Sequence, residues 1–162
     1  MNEPRAEVRS GGATDVRAVR RRFATRPRTW DVMLAISVGG ALGAVARYAL
    51  GTVWSHPPVG FPWVTFAINV SGCFMIGALM VVLTEVAGRP HRLARPFLGV
   101  GVLGGFTTFS TYAVEAQRLI ASGDLVLALA YLFGTMVAAL VATMVGIVAT
   151  RYLTRSGTPE GR

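Results

Sequence analysis

Four long apolar segments dominate the sequence and limit the folds that it can adopt. They cover roughly residues 31–54, 62–87, 96–120 and 125–150, and each is longer than the ~20 residues with which a helix crosses a ~30 Å hydrocarbon core. Most of their length lacks the separate polar and apolar faces of a soluble helical bundle. With a mean hydropathy of +0.51, the chain is predicted to be an all-α integral membrane protein with four transmembrane helices.

The segments divide the chain into three parts. Residues 1–30 are polar, carry eight of the sixteen arginines and are predicted to be a disordered tail. Residues 31–150 form the four-helix membrane domain. Residues 151–162 form a short C-terminal tail.

The net charge of +8 at pH 7 raises the question of a nucleic-acid partner. The arginines of the tail, from Arg5 to Arg28, are not interleaved with a set of aromatic side chains that could stack on bases. We therefore expect no nucleic-acid partner, and membrane lipid headgroups suit this tail better. A single cysteine, Cys73, and two separated histidines, His56 and His91, give no ligand set for zinc.

The third apolar segment contains a stretch that disfavours a continuous helix, GGFTTFSTYAVE at residues 104–115. Two glycines followed by two β-branched threonines are poor helix formers, so the helix is predicted to break at its centre. The break frees backbone carbonyls, which are ligands for a small hard cation. Non-helical backbone with unbonded carbonyls occurs at membrane depth only where it is buried in protein or lines a wet cavity. Phe109 and Tyr112 then share one face of the following half-helix, as expected at the centre of an ion pathway.

Small residues and one arginine mark the first segment. Gly39 and Gly43 form a GxxxG motif, which allows a neighbouring helix to approach closely. Arg47 lies seven residues before the end of the segment, where a charged side chain must snorkel, pair or line a wet cavity. Two interpretations are open: Arg47 snorkels to the interface beside Tyr48, or it forms an electropositive vestibule that attracts anions.

Uncharged hydrogen-bonding side chains occupy the other segments. Asn69, inside the second segment, either bonds a neighbouring helix or donates its amide N–H groups to an anion. Tyr131 and Thr135 in the fourth segment are four residues apart and place two hydroxyls on one face, although hydroxyls in such helices often bond the carbonyl four residues earlier. No segment centre carries Asp, Glu, Lys or His, which argues against a proton-coupled pump.

The polar side chains inside the segments are almost all neutral hydrogen-bond donors: Asn69, Thr107, Thr108, Ser110, Thr111, Tyr112, Tyr131 and Thr135. The edge of an aromatic ring such as that of Phe109 is also electropositive. This set suits a pathway for a small, strongly hydrogen-bonding anion.

Three stretches of the sequence resemble the Fluc family of bacterial fluoride channels, also called the CrcB family. They are GGALGAVARY at 39–48, TFAINVSGCFMIG at 65–77 and GGFTTFSTYAVE at 104–115, and the resemblance covers residues 31–150. It implies a four-span channel that forms an antiparallel dimer, with the broken third helices crossing at the dimer centre. It also implies passive export of fluoride across the bacterial plasma membrane, which is transport and not enzyme catalysis.

The resemblance also implies roles for individual residues. A structural sodium ion (Na⁺) at the dimer centre would be held by the backbone carbonyls of Gly104 and Thr107. The fluoride pathway along the dimer interface would be lined at the positions of Asn69, Phe109, Ser110, Thr111, Tyr112, Tyr131 and Thr135, with Arg47 in a vestibule. Tyr112 departs from the family pattern, which has a second phenylalanine there, so its hydroxyl either donates to fluoride or obstructs the pore.

Two other functions fit parts of the sequence. A small four-span multidrug or cation exporter has the same number of spans, but such exporters need a glutamate in the membrane that the first segment lacks. A non-conducting partner subunit of a heterodimeric channel is the second alternative, because Tyr112 departs from the family pattern.

The arginines are unevenly distributed between the two sides of the membrane. With four spans, fourteen of them fall on one side, one lies within a span (Arg47) and one falls on the other side (Arg118). Because an excess of arginine marks the cytoplasmic side, both termini are predicted to be cytoplasmic. A chain held in one orientation cannot form an antiparallel dimer with itself, so a heterodimer with a related subunit of opposite charge bias is expected.

Overall fold

The computed structural model describes residues 29–54 and 60–156, and all regular structure within these ranges is helical. The helices are α1 (Thr29–Val53), α2 (Trp63–Val86), α3 (residues 95–106), α4 (Ser110–Ala121) and α5 (Leu125–Ser156). The predicted disordered tail, residues 1–30, lies outside the described residues except for its last two, which begin α1.

Within the described residues, four helical spans are long and apolar enough to cross a membrane, as predicted. Helices α1, α2 and α5 each form one span, and α3 and α4 lie within the third span, Arg95–Ala121. The protein is therefore a multi-pass membrane protein with an all-α fold. Helix α5 continues through Ser156, six residues beyond the predicted end of the membrane domain.

Close contacts between backbones hold the helices from Asp31 onward in one compact unit. A Cβ atom on Gly39 of α1 would lie 2.5 Å from the carbonyl oxygen of Phe97, and one on Gly101 would lie 2.9 Å from that of Ile36. A Cβ on Gly43 would collide with the backbone of Val102. The GxxxG motif of α1 thus meets α3 at a distance that only glycine permits, as the motif predicts.

Helices α2 and α5 form a second glycine contact. A Cβ on Gly77 of α2 would collide with the carbonyl of Thr143, and one on Gly146 of α5 would collide with the carbonyl of Phe74. Because lipid tails give no hydrophobic drive to pack helices together, such close approach is the main source of attraction between them.

A tight turn joins α4 to α5 and fixes their antiparallel packing. Gly123 has φ +88°, its N–H donates to the carbonyl of Ile120, and the N–H of Asp124 donates to that of Leu119. This is a Schellman motif, which favours glycine at the left-handed position. It brings Tyr131 of α5, which is fully buried, against α4.

Candidate functional site

The helical structure of the third span is interrupted at its midpoint. It stops at Phe106 and resumes at Ser110, and Thr107 has the extended dihedral angles φ −74° and ψ 157°. Thr108 is equally far in sequence from the two ends of the span. We call residues 107–109 the linker. Most of the predicted site residues lie in or around it.

Asn69 of α2 binds both backbone groups of Thr108 in the linker. Its Nδ2 donates to the carbonyl oxygen of Thr108 at 2.9 Å, and its Oδ1 accepts from the Thr108 N–H at 2.9 Å. Because a backbone N–H only donates and a carbonyl only accepts, this pair fixes the orientation of the amide. One hydrogen of the amide group remains available to another acceptor.

The side chain of Thr108 bonds the first turn of α4. Its Oγ1 accepts the N–H of Thr111 at 3.2 Å and lies 3.1 Å from Thr111 Oγ1 and 3.3 Å from Ser110 Oγ. The hydroxyls of three successive polar positions therefore form one cluster at the first turn of α4. A hydroxyl in this position satisfies an amide that would otherwise have no helical partner.

These side-chain contacts change which carbonyls are bonded. In a continuous α-helix the N–H of Thr108 would donate to Gly104 and that of Thr111 would donate to Thr107. Here the two amides donate to Asn69 Oδ1 and Thr108 Oγ1 instead. The carbonyls of Gly104 and Thr107, the two predicted cation ligands, thereby lose their usual helical donors.

Arg47 of α1 contacts the last turn of α3, just before the linker. Its Nε donates to the carbonyl oxygen of Gly105 at 3.2 Å. Its side chain is half-buried and lines a cavity of about 280 Å³ together with Thr65, Thr108, Thr111 and Glu115. We call this the vestibule cavity. It contains one cation and one carboxylate, so it is not purely electropositive.

Glu115 is the functional candidate that the sequence alone does not identify. One carboxylate oxygen accepts from Thr65 Oγ1 at 2.9 Å, and the other accepts from the Tyr131 hydroxyl at 2.8 Å. A carboxylate inside a span is stable only with such partners. The partners lie 50 and 16 residues away, so only the fold reveals them. The available signal is that Glu115 lies one turn after Thr111 on α4.

A second cavity, of about 350 Å³, is also lined by Thr108. We call it the linker cavity. It brings together predicted residues from three helices and the linker: Asn69, Thr107, Phe109, Tyr112 and Thr135. Cys73 lines it as well. Thr135 is buried and its hydroxyl has no hydrogen-bond partner among the described residues. An unsatisfied buried hydroxyl at a cavity wall can bond a polar species that enters.

The two predicted aromatic residues differ in their environments. Phe109 is 79% exposed, and its ring centre is 5.8 Å from that of Tyr112. The hydroxyl of Tyr112 donates to the carbonyl oxygen of Leu132 at 2.6 Å. Since that donor is already used, Tyr112 presents its ring to the linker cavity.

The two predicted hydroxyls of α5 are also separated. Thr135 lines the linker cavity, whereas Tyr131 lines neither cavity and is fully buried between Phe61, Tyr112 and Glu115. Tyr131 therefore holds the carboxylate of Glu115 in place.

Comparison with known proteins places the chain in a family. The family model described as "CrcB-like protein, Camphor Resistance (CrcB)" matches residues 34–147. The chain belongs to the CrcB family. The resemblance stated from the sequence is thus confirmed, and the matched range contains every residue of the two cavities.

Several CrcB relatives carry an informative name. The chain is 55% identical over 123 residues to "Fluoride-specific ion channel FluC 2" of Nocardia farcinica, covering 76% of this chain and 87% of the relative. It is 54% identical over 121 residues to "Fluoride-specific ion channel FluC 1" of Streptomyces coelicolor, covering 74% and 77%. It is 41% identical over 127 residues to "Fluoride-specific ion channel FluC" of Nitrobacter winogradskyi, covering 76% and 98%.

Proposed function

We propose that this CrcB protein is a fluoride-specific ion channel, through which fluoride leaves the cytoplasm by passive flux. This export reduces the toxicity of fluoride to the cell. The observation that carries the proposal is its 55% identity to a relative named as a fluoride-specific channel, over 87% of that relative's length. The described residues add a site of suitable chemistry: two cavities that share Thr108 and are lined by hydroxyl, amide and guanidinium donors.

Selectivity for fluoride follows from the donors along this path. Fluoride is small and strongly hydrated, so it enters a narrow site only where N–H, O–H and ring-edge donors replace its water. The vestibule cavity offers Arg47 and Thr111, and the linker cavity offers Asn69, Thr135 and the ring edge of Phe109. The carboxylate of Glu115 would repel an anion. The hydrogen bonds from Thr65 and Tyr131 reduce this repulsion, because they hold the carboxylate in place and occupy both of its oxygens.

The exposure of residues in and beside the linker supports assembly as a dimer. Gly104, Phe109 and Ser110 are exposed at mid-span, yet backbone without helical bonds does not face lipid. A second subunit that covers this surface would resolve the conflict and complete the wall of the linker cavity. We propose an antiparallel partner, so that the broken third spans of both subunits meet at the centre of the membrane.

A structural sodium ion suits the centre of such a dimer. The carbonyls of Gly104 and Thr107 lack their usual helical donors, and carbonyl oxygens are ligands that hard cations prefer. Among the described residues no three His, Cys, Asp or Glu side chains come together, so main-chain oxygens would supply the coordination. The ion would neutralise carbonyl dipoles that point toward one another in a medium of low polarity.

The arginine distribution supports a heterodimer with both termini of this chain in the cytoplasm. Arg89, Arg92, Arg95 and Arg151 lie at one end of the bundle, and among the described residues outside the spans' interior Arg118 alone lies toward the other end. Reporters fused to each terminus should both report the cytoplasm. Termini on both sides of the membrane would instead indicate dual insertion and a homodimer.

A cellular experiment tests the proposed activity. We expect the gene, expressed with any related partner subunit, to restore growth in fluoride to a bacterium that lacks fluoride channels and to lower its internal fluoride. Rescue only when a partner is co-expressed would indicate the heterodimer proposed above. Absence of rescue with every partner, in cells that contain the folded protein, would contradict the proposal.

A further inference from the structure

A surface groove at the arginine-rich end of the bundle lies apart from both cavities. It has a volume of about 280 Å³ and is lined by Ala35 of α1, Phe97 of α3 and three residues of the connection before α3: His91, Leu93 and Ala94. Four of these five side chains are apolar, and His91 supplies the polar part. The groove thus combines an apolar floor with a polar edge, as an interfacial lipid site requires.

The imidazole of His91, which forms the polar edge, has one defined tautomer when it is neutral. The Nδ1 atom of His91 accepts the N–H of Leu93 at 3.2 Å, so the neutral ring carries its hydrogen on Nε2. His91 is exposed. Its Nε2–H can therefore donate to an oxygen acceptor at the edge of the groove.

Three arginines, Arg89, Arg92 and Arg95, lie within two residues in sequence of a residue that lines the groove, and their charge is only partly neutralised. Arg92 forms an ion pair with Asp31, with 2.5 Å between Nη2 and Oδ2. Arg89 and Arg95 are exposed, and neither forms an ion pair with any described residue. The apolar floor of the groove is therefore accompanied by exposed arginines that are close in sequence to its lining residues.

We propose that this groove binds an anionic phospholipid, with an acyl chain along Ala35, Leu93 and Phe97 and the phosphate near His91 and Arg95. A phosphate accepts from both an imidazole N–H and a guanidinium. The chain's own N-terminal segment is a poor occupant, because residues 1–28 carry eight arginines against three acidic residues. Like charges would repel it from this edge.

Native mass spectrometry of the full chain in detergent tests the proposal. Phosphatidylglycerol and phosphatidylcholine with identical acyl chains are the two probes. We expect phosphatidylglycerol to bind several-fold more tightly, and Arg95→Gln to weaken its binding about five-fold, since an arginine near a membrane surface contributes ~1 kcal/mol. Binding of phosphatidylcholine should not change in this variant.

Two control variants separate the groove from general surface charge. Arg155→Gln lies at the same end of the bundle but does not adjoin the groove, and Arg118→Gln lies toward the other end. Both should leave phosphatidylglycerol affinity unchanged. Ala35→Phe, which retains every arginine, should reduce it by filling the apolar floor. If Ala35→Phe does not fold, the comparison of Arg95→Gln with Arg155→Gln still shows whether phosphatidylglycerol binding depends on the groove.

Three results would overturn the proposal. The first is a lack of selection by the groove, seen either as equal affinity for the two lipids or as an equal loss of affinity in Arg95→Gln and Arg155→Gln. The second is displacement of the lipid by millimolar inorganic phosphate, which would indicate a site for free phosphate. The third is cross-linking between copies through Ala35→Cys in a Cys73→Ala background, which would show that a second subunit covers the groove.

Discussion

Asn69 determines the conformation of the linker through two hydrogen bonds to one residue. Both bonds to Thr108 are 2.9 Å long and they run in opposite directions. An amide is the side chain that can donate and accept at this spacing. Sequence reasoning left open whether Asn69 bonds a neighbouring helix or an anion. The structure shows the bond to the linker, and the second amide hydrogen is the part that the proposed pathway uses.

Asn69→Asp should abolish fluoride flux. The carboxylate retains an acceptor for the Thr108 N–H but places a second oxygen against the Thr108 carbonyl and a negative charge beside the pathway. We expect a loss of ~1–3 kcal/mol in stability, the cost of an unsatisfied buried group, with the helical content retained. Ser71→Ala, which removes a bond only to Ile68 one turn away, is the control and should conduct normally. Normal flux in Asn69→Asp would exclude this pathway.

Tyr112→Phe should maintain or raise fluoride flux. The Tyr112 hydroxyl donates to Leu132 of α5, so its removal costs one interhelical hydrogen bond, ~0.6–2 kcal/mol, and leaves the ring beside Phe109. A lower melting temperature with unchanged flux would agree with this. Tyr152→Phe, at an exposed position of α5, controls for loss of a phenol. Complete loss of flux in Tyr112→Phe alone would show that the hydroxyl itself contacts fluoride.

At the scale of the elements, the contact between α1 and the third span positions the linker. Gly39 and Gly43 of α1 bring its backbone against α3, and a Cβ on Gly105 would collide with the backbone of Gly40. This close approach places Arg47 within reach of the Gly105 carbonyl. The GxxxG motif therefore positions Arg47 at the site in addition to packing α1 against α3.

Gly43→Ala should therefore impair both stability and flux. The added methyl would collide with the Val102 backbone, which cannot move as a flexible side chain could. We expect a loss of ~1–3 kcal/mol, typical of overpacking, and reduced flux because α1 and Arg47 shift. Gly51→Ala on the same helix meets no atom within 4 Å and should not lower stability. Equal thermal stability of the two variants would refute the proposed contact.

Gly104→Val tests the proposed sodium site. The nearest heavy atom to a Cβ at Gly104 is the Gly99 carbonyl oxygen at 4.0 Å, so the single chain should accommodate the side chain. A dimer with a cation between the two linkers should not, and we expect flux to be lost in a folded protein. Gly134→Val, also with open space around it, is the control. Normal flux and sodium binding in Gly104→Val would rule out a site at this glycine.

At the scale of the whole molecule, hydropathy predicts the four spans, because a span needs only length and apolar character. The clustering of Asn69, Phe109 and Tyr112 is also foreseeable from the family motifs. The hydrogen-bond partners of Glu115 and of the Tyr112 hydroxyl cannot be foreseen in this way. They depend on how α4 is rotated about its own axis relative to α2 and α5. Sequence periodicity does not determine that rotation in helices that are apolar on all sides.

Fluoride efflux from liposomes is the most direct test of the proposed function. The purified protein, with its partner subunit if one is required, is reconstituted with internal potassium fluoride or potassium chloride, and valinomycin is added to balance charge. We predict rapid release of fluoride and no release of chloride above that of empty liposomes, with fluoride release abolished in Asn69→Asp. Equal release of both anions, or no release of fluoride from folded protein with any partner, would contradict a fluoride-specific channel.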